Sequence, residues 1–250
     1  MKQVMVVGGG GGLGTAIVKK LLDHGCQVVV AGRTRPVDQR IRHFYSIDAT
    51  KVDWQSFYLT IENETAMPIH AVIFVAGTAV FGKATLIPAE RARQTFELNF
   101  WACATAAKAI AQHWEDRDQP GRFVAILSIV ARRAVPFEAF YAASKAAAAR
   151  FLECLQLEYA HKNIEFVCAF PGTLKTGFRR DSEWYGIEPG AAEKGSDVQT
   201  TAEAIVKLLK SKRRSRVIGW RERSIDLADR LWPGLYDRAV LQNRVKRLLK

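Results

Sequence analysis

A tyrosine and a lysine stand four residues apart in the stretch FYAASKAAA, residues 140–148. If this stretch is helical, Tyr141 and Lys145 share one face of the helix. An ammonium group beside a phenol stabilises the phenolate and lowers the phenol pKa from about 10 towards neutrality. A phenol tuned in this way can exchange a proton near neutral pH. The spacing alone leaves a second interpretation open, because such a pair on a helix is more often exposed to solvent.

Ser128 favours the chemical interpretation of this pair. It ends the apolar run RFVAILS, residues 122–128, and precedes Tyr141 by thirteen residues. Ligands of open α/β sheets bind beyond the carboxyl ends of the strands. A serine at that end of a buried strand would present its hydroxyl where a phenol and a substrate oxygen can meet. The three side chains together therefore predict proton transfer to or from an oxygen atom.

Short apolar runs alternate with amphipathic segments along the chain. The runs predict buried strands, and the segments between them have helical periodicity. Strands that are apolar throughout and separated by helices indicate a parallel sheet covered on both faces. We therefore expect a doubly wound α/β fold, built as a single domain over residues 1–250. The predicted strands lie at residues 3–7, 27–31, 70–76, 122–128 and 165–170.

A glycine loop, residues 8–14, follows the first apolar run directly and opens a predicted helix. Gly8, Gly12 and Gly14 have the spacing at which missing side chains let the backbone turn sharply and approach a pyrophosphate at the positive end of the helix. A flexible glycine run without a ligand is the alternative. The position of the loop between strand and helix favours a dinucleotide cofactor.

The residues after the second apolar run favour NADP(H) over NAD(H). An NAD site usually has an acidic residue there for the ribose hydroxyl, whereas an arginine accommodates a 2′-phosphate. This chain has Arg33 and Arg35 and no acid in the stretch AGRTRP. Further along, Asp48 stands where its carboxylate could accept a hydrogen bond from the adenine amino group. A turn or helix-capping role for Asp48 stays open.

The glycine loop, Asn99 in FELNFW, Ser128, the Tyr141 to Lys145 pair and the segment FPGTLKT follow one another along residues 2–176. In this order and at these approximate spacings the chain resembles the short-chain dehydrogenase/reductase family. The resemblance implies a Rossmann fold with about seven parallel strands. It also implies an oxidoreductase that interconverts a carbonyl and a secondary alcohol by hydride transfer, assembled as a homodimer or homotetramer.

The resemblance further implies a catalytic tetrad of Asn99, Ser128, Tyr141 and Lys145. Tyr141 would protonate the substrate oxygen that Ser128 holds. Lys145 would lower the tyrosine pKa and bind the nicotinamide ribose, while Asn99 would keep a water in a proton relay. Without the resemblance, Asn99 reads as a helix-interior residue making local hydrogen bonds. The expected cofactor-binding residues are Gly8, Gly12, Leu13, Gly14, Arg33, Asp48, Ala49, Ala76, Gly77, Tyr141, Lys145, Pro171, Gly172, Thr173 and Thr176.

Two positions depart from the family pattern. The family commonly has threonine before the first motif glycine and Asn-Asn-Ala-Gly after the fourth strand, whereas this chain has Val7 and the residues FVAG at 74–77. The missing polar groups normally tie the glycine loop to neighbouring strands. Their absence motivates an alternative function, a non-catalytic NADP(H)-binding sensor or scaffold. A sugar-nucleotide epimerase on the same fold is disfavoured, because the chain is short.

Residues 178–197 form a long irregular segment, which the resemblance identifies as a substrate lid. Aromatic side chains of this region either line an apolar pocket or belong to the core, and its arginines either bind an anionic substrate group or are solvated. The substrate is therefore left open. The aromatic residues are Phe137, Phe140, Phe178, Trp184 and Tyr185, and the arginines are Arg132, Arg133, Arg179 and Arg180.

Most of the formal net charge of +12 belongs to the end of the chain, since residues 207–250 contain 14 Lys or Arg and 4 Asp or Glu. The tail, residues 221–250, has apolar residues at helical spacing after Pro233, with basic residues among them. It is expected to pack on the body or a partner subunit, or to contact an anionic membrane surface. Nucleic acid is the least favoured partner. The apolar positions are Leu241, Val245, Leu248 and Leu249.

The remaining patterns predict a cytoplasmic protein without a metal site. The first residues lack the continuous apolar core of a secretory signal, and no apolar run has the length of a membrane span. The cysteines are scattered, without metal-ligand or disulfide-framework spacing. They are Cys26, Cys103, Cys154 and Cys168. The Ala-rich segments 89–114 and 141–161 are the expected subunit contacts, since small side chains permit close helix approach.

Overall fold

The computed structural model describes residues 2–188, 195–232, 234 and 245. The helix expected after Pro233 and residues 189–194 of the expected lid lie outside the described residues, apart from those two single positions. Nine strands lie in the described part of the chain. They are β1 (Gln3–Val7), β2 (Gln27–Gly32), β3 (His43–Ser46), β4 (Ile69–Phe74), β5 (Val80–Gly82), β6 (Gly121–Ile126), β7 (Ile164–Pro171), β8 (Glu183–Tyr185) and β9 (Ser215–Ile218).

Seven of these strands form one parallel sheet in the order β3-β2-β1-β4-β6-β7-β9. Val7, the last residue of β1, pairs with Ala31 on one side and with Phe74 on the other. The carboxyl ends of these three strands therefore lie side by side. The strand order reverses between β1 and β4, and that reversal opens a crevice in which ligands of such sheets bind.

Of the seven α-helices in the described part of the chain, five pack on the two faces of the sheet. Alternate residues of a strand point to opposite faces, so Val4 and Val6 meet one helix layer while Met5 and Val7 meet the other. The first layer contains α1 and α6, and the second contains α2, α4 and α5. The helices are α1 (Gly12–Asp23), α2 (Trp54–Thr65), α3 (Ala89–Phe96), α4 (Ala102–Asp116), α5 (Ala139–Glu158), α6 (Val198–Val206) and α7 (Trp220–Leu231).

Local sequence signals set several helix starts. The Asp53 carboxylate accepts hydrogen bonds from the amides of Gln55 and Ser56 and caps α2. The Asp197 carboxylate does the same for α6 through the Thr200 amide. Because α5 is rich in alanine, it packs closely on β7.

The expected doubly wound α/β fold with about seven parallel strands is confirmed. Strands β3 and β9 were absent from the predicted set because they lie at the sheet edges and lack continuous apolar runs. The prediction that residues 178–197 are irregular is wrong at β8, which pairs in parallel with β5. That pairing joins residues about a hundred positions apart, Val80 with Glu183, so local sequence carries no signal of it.

Candidate active site

The glycine loop turns tightly at the carboxyl end of β1. Gly8 has a φ of +88°, and a Cβ added there would lie 2.5 Å from the amide nitrogen of Ala76. A Cβ on Gly14 would overlap the Gly8 carbonyl oxygen. A Cβ on Gly12 would lie 3.2 Å from the Thr176 side chain. The structure therefore brings together five of the expected cofactor-binding residues, drawn from three separate parts of the chain.

Backbone hydrogen bonds tie this loop to its neighbours where the family's polar side chains are missing. The Val7 carbonyl accepts from the amides of Val75 at 2.8 Å and Ala76 at 3.0 Å. The Gly8 amide donates to the Ala31 carbonyl at 2.7 Å. Val7 and Phe74 are buried in the core. The two departures from the family pattern therefore leave the loop anchored, which removes the observation behind the sensor or scaffold alternative.

The residues of the loop fit a dinucleotide phosphate. Gly11 precedes α1, and the structure describes no side-chain cap on the first amides of this helix and no acidic residue in its first turn. Such amides are available to an anion, and the helix dipole favours negative charge at the same place. The Leu13 side chain packs against the core layer that contains α1, so it does not cover the backbone atoms at the surface of the loop.

Two arginines follow β2, and the structure separates their roles. Arg35 donates to the Ile41 carbonyl at 3.0 Å and stacks over the Phe44 ring, with 5.7 Å between the guanidinium carbon and the ring centroid. Arg33 is exposed directly after the end of β2, where a ribose phosphate of a bound cofactor would lie. Arg33 is therefore the candidate for binding a 2′-phosphate. Arg35 instead stabilises the loop after β2 through its contacts with Ile41 and Phe44.

Asp48 takes part in a turn. Its Oδ1 accepts from the Thr50 amide at 3.1 Å and from the Thr50 hydroxyl at 2.8 Å, and these bonds hold the Asp48 pKa below its ordinary value. The turn interpretation is therefore confirmed for this carboxylate, while its contact with adenine stays a prediction. The adjacent Ala49 is buried in the core.

The residues singled out for proton transfer meet at the predicted edge of the sheet. Ser128 follows β6, and its hydroxyl lies close enough to the Tyr141 phenol to act against the rise in the phenol pKa. Tyr141 and Lys145 lie on α5 and are 9% and 4% exposed. The Lys145 Nζ donates to the Ile126 carbonyl at 3.0 Å. The solvent-exposed interpretation of this pair is wrong, because both side chains are buried against the end of β6.

Asn99 lies where the helix type changes locally. The chain between α3 and α4 forms a π-helical turn over Glu97–Trp101, and Asn99 in this turn is 1% exposed. Its Oδ1 accepts from the Thr78 amide at 2.9 Å, and its Nδ2 donates to the Thr78 carbonyl at 2.8 Å and to the Ser144 hydroxyl at 2.9 Å. Asn99 therefore holds the segment that leaves β4.

Gly77 brings Asn99 and Lys145 to one point. A Cβ on Gly77 would lie 3.0 Å from the Asn99 Oδ1 and 3.0 Å from the Lys145 Nζ. A side chain at this position would crowd both polar groups. The structure thus joins these three expected residues beneath the crevice, and the water relay assigned to Asn99 stays a prediction.

The prediction that Lys145 lowers the Tyr141 pKa is wrong. Burial raises the pKa of Tyr141 to about 12, and the nearby Glu138 carboxylate raises it further, while the Ser128 hydroxyl and the charge of Arg179 act in the opposite direction. Burial also lowers the pKa of Lys145 to about 8. The physical reason is that the lysine donates to a backbone carbonyl of β6, so neither buried group receives a compensating charge from the other.

The segment after β7 closes over the same edge. Pro171 ends β7, and the Glu222 side chain of α7 lies against Gly172, where an added Cβ would come within 2.5 Å of its Cγ. The Thr173 carbonyl accepts from the Ser196 amide at 2.8 Å. The hydroxyls of Thr173 and Thr176 remain candidates for the nicotinamide end of a cofactor.

An aromatic cluster covers the outer side of Tyr141. The ring centroids of Phe81 and Phe178 both lie 5.9 Å from that of Tyr141, and Trp184 lies 4.7 Å from Phe81. Phe81 was missed at the sequence level, because β5 is only three residues long. Phe140 and Tyr185 pack instead against a small separate cluster around Val80, and the Phe137 carbonyl accepts from the Gly82 amide.

The arginines expected to meet an anionic substrate group are mostly engaged within the protein. Arg179 donates to Glu138 at 2.8 Å, and its guanidinium carbon lies 4.2 Å from the Phe81 ring centroid. Arg132 pairs with Asp226 at 2.7 Å, and Arg180 pairs with Asp181 at 2.9 Å. Glu138, which is 3% exposed beside the catalytic candidates, was not found from the sequence because its partner lies in the distant lid segment.

In the ranges that the structure covers, no group of three or more His, Cys, Asp or Glu side chains is arranged to hold a metal ion. Among the same residues, no helix has the length and apolar content to cross a membrane. The four cysteines are free thiols, and burial raises the pKa of Cys103 and of Cys168 to about 12. These thiols are therefore poor candidates for nucleophiles.

Comparison with known proteins agrees with this geometry. The family model described as short chain dehydrogenase matches residues 2–184. Dehydrogenase/reductase SDR family member 4 of Homo sapiens is 30% identical over 190 residues, which are 72% of this chain and 68% of that protein. Dehydrogenase/reductase SDR family protein 7-like of Anopheles gambiae is 26% identical over 228 residues, which are 83% of this chain and 72% of that protein.

Solved structures share the fold. A short chain dehydrogenase from Burkholderia cenocepacia J2315 in complex with NADP has a TM-score of 0.80 at 23% identity, covering 96% of this chain and 99% of that one. A short chain dehydrogenase from Leptospira borgpetersenii with bound NAD+ has a TM-score of 0.64 at 22% identity, covering 69% of this chain and 71% of that one.

Proposed function

This chain belongs to the short-chain dehydrogenase family, and from that membership we propose that it is an NADP(H)-dependent oxidoreductase that interconverts a carbonyl and a secondary alcohol. The observation that supports the proposal most directly is the burial of Ser128, Tyr141 and Lys145 together at the end of β6, at the sheet edge that also carries the glycine loop. A phenol, a serine hydroxyl and a dinucleotide site at one edge provide the groups that carbonyl reduction needs.

Each side chain has a defined part in the proposed reaction. The glycine loop with Gly8, Gly12 and Gly14 would hold the dinucleotide, which would supply the hydride that the carbonyl carbon accepts. Negative charge then develops on the carbonyl oxygen and must be met by positioned donors. Ser128 holds that oxygen through its hydroxyl, and Tyr141 donates the proton that completes the alcohol. Because its pKa is about 12, Tyr141 carries this proton at neutral pH, as reduction requires.

The chemistry of the lid supports a neutral, apolar substrate. The side of Tyr141 away from the sheet meets Phe81 and Phe178, and the nearby Arg179 already pairs with Glu138. A substrate carboxylate would have to compete with this buried carboxylate for the guanidinium. We therefore expect NADPH-dependent reduction of apolar ketones to exceed that of matched keto acids.

A ketone panel tests the proposed function. Purified protein is mixed with NADPH and either an aryl alkyl ketone or a keto acid of similar size, and loss of reduced-nicotinamide absorbance is followed. Turnover of the neutral ketone supports the proposal. Binding of NADPH without reduction of any carbonyl, in a protein that melts cooperatively, would contradict it.

Arg33→Ala is expected to weaken NADPH binding about 10- to 100-fold while leaving NADH binding nearly unchanged. A hydrogen bond to a charged group contributes about 1.5–3 kcal/mol, and only NADPH carries the 2′-phosphate that Arg33 would bind. Fluorescence titration of both cofactors measures the ratio of the two affinities. Arg35→Ala is the matched control, because Arg35 is bonded to the Ile41 carbonyl. An unchanged ratio in Arg33→Ala would contradict NADP(H) preference through this residue.

Glu138→Gln is expected to move the pH dependence of alcohol oxidation to lower pH by about one unit. Oxidation needs the Tyr141 phenolate, so its rate rises as pH approaches the phenol pKa. The Glu138 carboxylate raises that pKa, and the neutral amide does not. The measurement is kcat against pH. Asp181→Asn, which removes an exposed lid carboxylate, is the control and should leave the profile in place.

We also propose a homo-oligomer that uses the outward faces of α4 and α5. These helices lie side by side, and near them Trp101 is 53% exposed and Leu157 is 74% exposed. Large apolar side chains left at the surface mark interfaces when they are grouped. Analytical ultracentrifugation of the wild-type chain measures the assembly directly.

A further inference from the structure

Large apolar side chains are concentrated on α7 and the residue after it. Within the part of the chain that the structure covers, Trp220 is 77% exposed, Leu227 57%, Leu231 55% and Trp232 60%. Trp220, Leu227 and Leu231 recur at helical spacing and therefore share one face of α7. No residue of this helix is buried. The face, defined here as the outer face of α7, is an apolar surface that the described residues leave uncovered.

The opposite side of α7 is acidic and is held against the body. Glu222 covers Gly172 and accepts a hydrogen bond from the Ser196 hydroxyl at 3.4 Å. Asp226 pairs with Arg132 at 2.7 Å, and these two side chains are only 15% and 14% exposed. A helix on a protein surface normally buries its apolar stripe. This one is inverted, since polar contacts hold it in place while tryptophan and leucine face outward.

The rim of the outer face is basic. Arg221, Arg223 and Arg230 are exposed beside the apolar residues. Two acidic residues of α7, Glu222 and Asp226, are engaged by the body, and Asp226 also pairs with Arg230 at 3.3 Å, so Arg221 and Arg223 carry the positive charge of this rim. A helix with tryptophan and leucine on one face and arginine beside them has the chemistry of helices that lie in the interface of an anionic bilayer.

We propose that the outer face of α7 docks in the plane of an anionic lipid surface. Tryptophan and leucine enter the boundary between head groups and acyl chains, and the arginines contact the lipid phosphates. A second copy of this chain is a poorer occupant, because a two-fold contact would bring the same arginines against one another. Nucleic acid is poorer as well, since phosphate contacts do not require a row of exposed leucines.

The proposed docking would place the candidate active site near the lipid. Through Glu222, α7 contacts the segment after β7, and through Asp226 it contacts the turn that follows Ser128. The two loops that shape the crevice are therefore attached to the docking helix. The docking itself does not depend on the proposed oxidoreductase function.

The test is co-sedimentation of the full chain with vesicles of phosphatidylcholine alone and with vesicles that contain phosphatidylglycerol. We expect pelleting with the anionic vesicles, a blue shift of tryptophan emission, and release at high salt. The combined variant Trp220→Ser, Leu227→Ser, Trp232→Ser should weaken this partition at least tenfold. Val37→Ser with Leu86→Ser is the matched control, because it removes exposed apolar side chains elsewhere and should leave the partition unchanged.

Three results would overturn the proposal. The first is equal recovery of the wild type with neutral and anionic vesicles. The second is unchanged pelleting of the combined variant. The third is a change of oligomeric state in that variant without a change in pelleting, which would assign the face to a second copy. NADPH binding and melting temperature, measured on every variant, show that each one is folded, so that loss of pelleting reports on the face alone.

Discussion

Replacing Tyr141 with phenylalanine is expected to lower kcat for carbonyl reduction about 10²- to 10⁴-fold, the range that a positioned general acid contributes. Phenylalanine keeps the ring that contacts Phe81 and Phe178 and removes only the hydroxyl beside Ser128. NADPH affinity should therefore change little. Single-turnover reduction of an apolar ketone with bound NADPH separates the chemical step from binding.

Tyr185→Phe is the matched control for this experiment. Its hydroxyl is bonded to Glu183 at 2.7 Å within the lid, away from the Ser128 hydroxyl. Its removal should leave kcat within about twofold, as is usual for substitutions outside such sites. Equal rates in Tyr141→Phe and the wild type would contradict the assignment of the proton donor.

Gly14→Ala is expected to abolish measurable NADPH binding and to lower the free energy of unfolding by about 1–3 kcal/mol. The added Cβ would overlap the Gly8 carbonyl oxygen and lie 2.9 Å from the Gly9 Cα, and both of these atoms belong to backbone. The backbone of Gly8 cannot shift away from the added Cβ, because Gly8 already lies against Ala76 at a φ of +88°. Chemical denaturation and cofactor titration measure the two effects.

Gly11→Ala supplies the comparison in the same loop. A Cβ at this position meets nothing within 4 Å, and its φ of −79° suits any residue. The unfolding free energy should therefore stay at the wild-type value. If Gly14→Ala were as stable as Gly11→Ala, the close packing of the loop on itself would be refuted.

The sequence predicted those parts of the molecule that local pattern determines. The strands β1, β2, β4, β6 and β7 are continuous apolar runs, and each is buried as such runs require. The edge strands β3 and β9 face solvent on one side and therefore lack that pattern. Strand β8 depends on a partner far away in the chain, so no local signal could reveal it.

In the candidate site, too, residues in a local motif were predicted and residues that depend on distant partners were not. Ser128, Tyr141 and Lys145 were found because motif spacing fixes their order, and the structure places them at one edge. Glu138 was missed because its importance comes from Arg179, which the lid brings to it. The direction of the tyrosine pKa was also wrong, because spacing on a helix does not show that the lysine donates to a carbonyl of another strand.

The side-chain amide of Asn99 forms hydrogen bonds with both the backbone amide and the backbone carbonyl of Thr78, in the way that a neighbouring β-strand would. An amide neither gains nor loses a proton in the range where proteins are stable. This part of the frame beneath the crevice is thus indifferent to acidity, whereas Lys145 beside it has a pKa of about 8 and titrates. Changes of pH can alter the charge in the site without altering the frame that positions it.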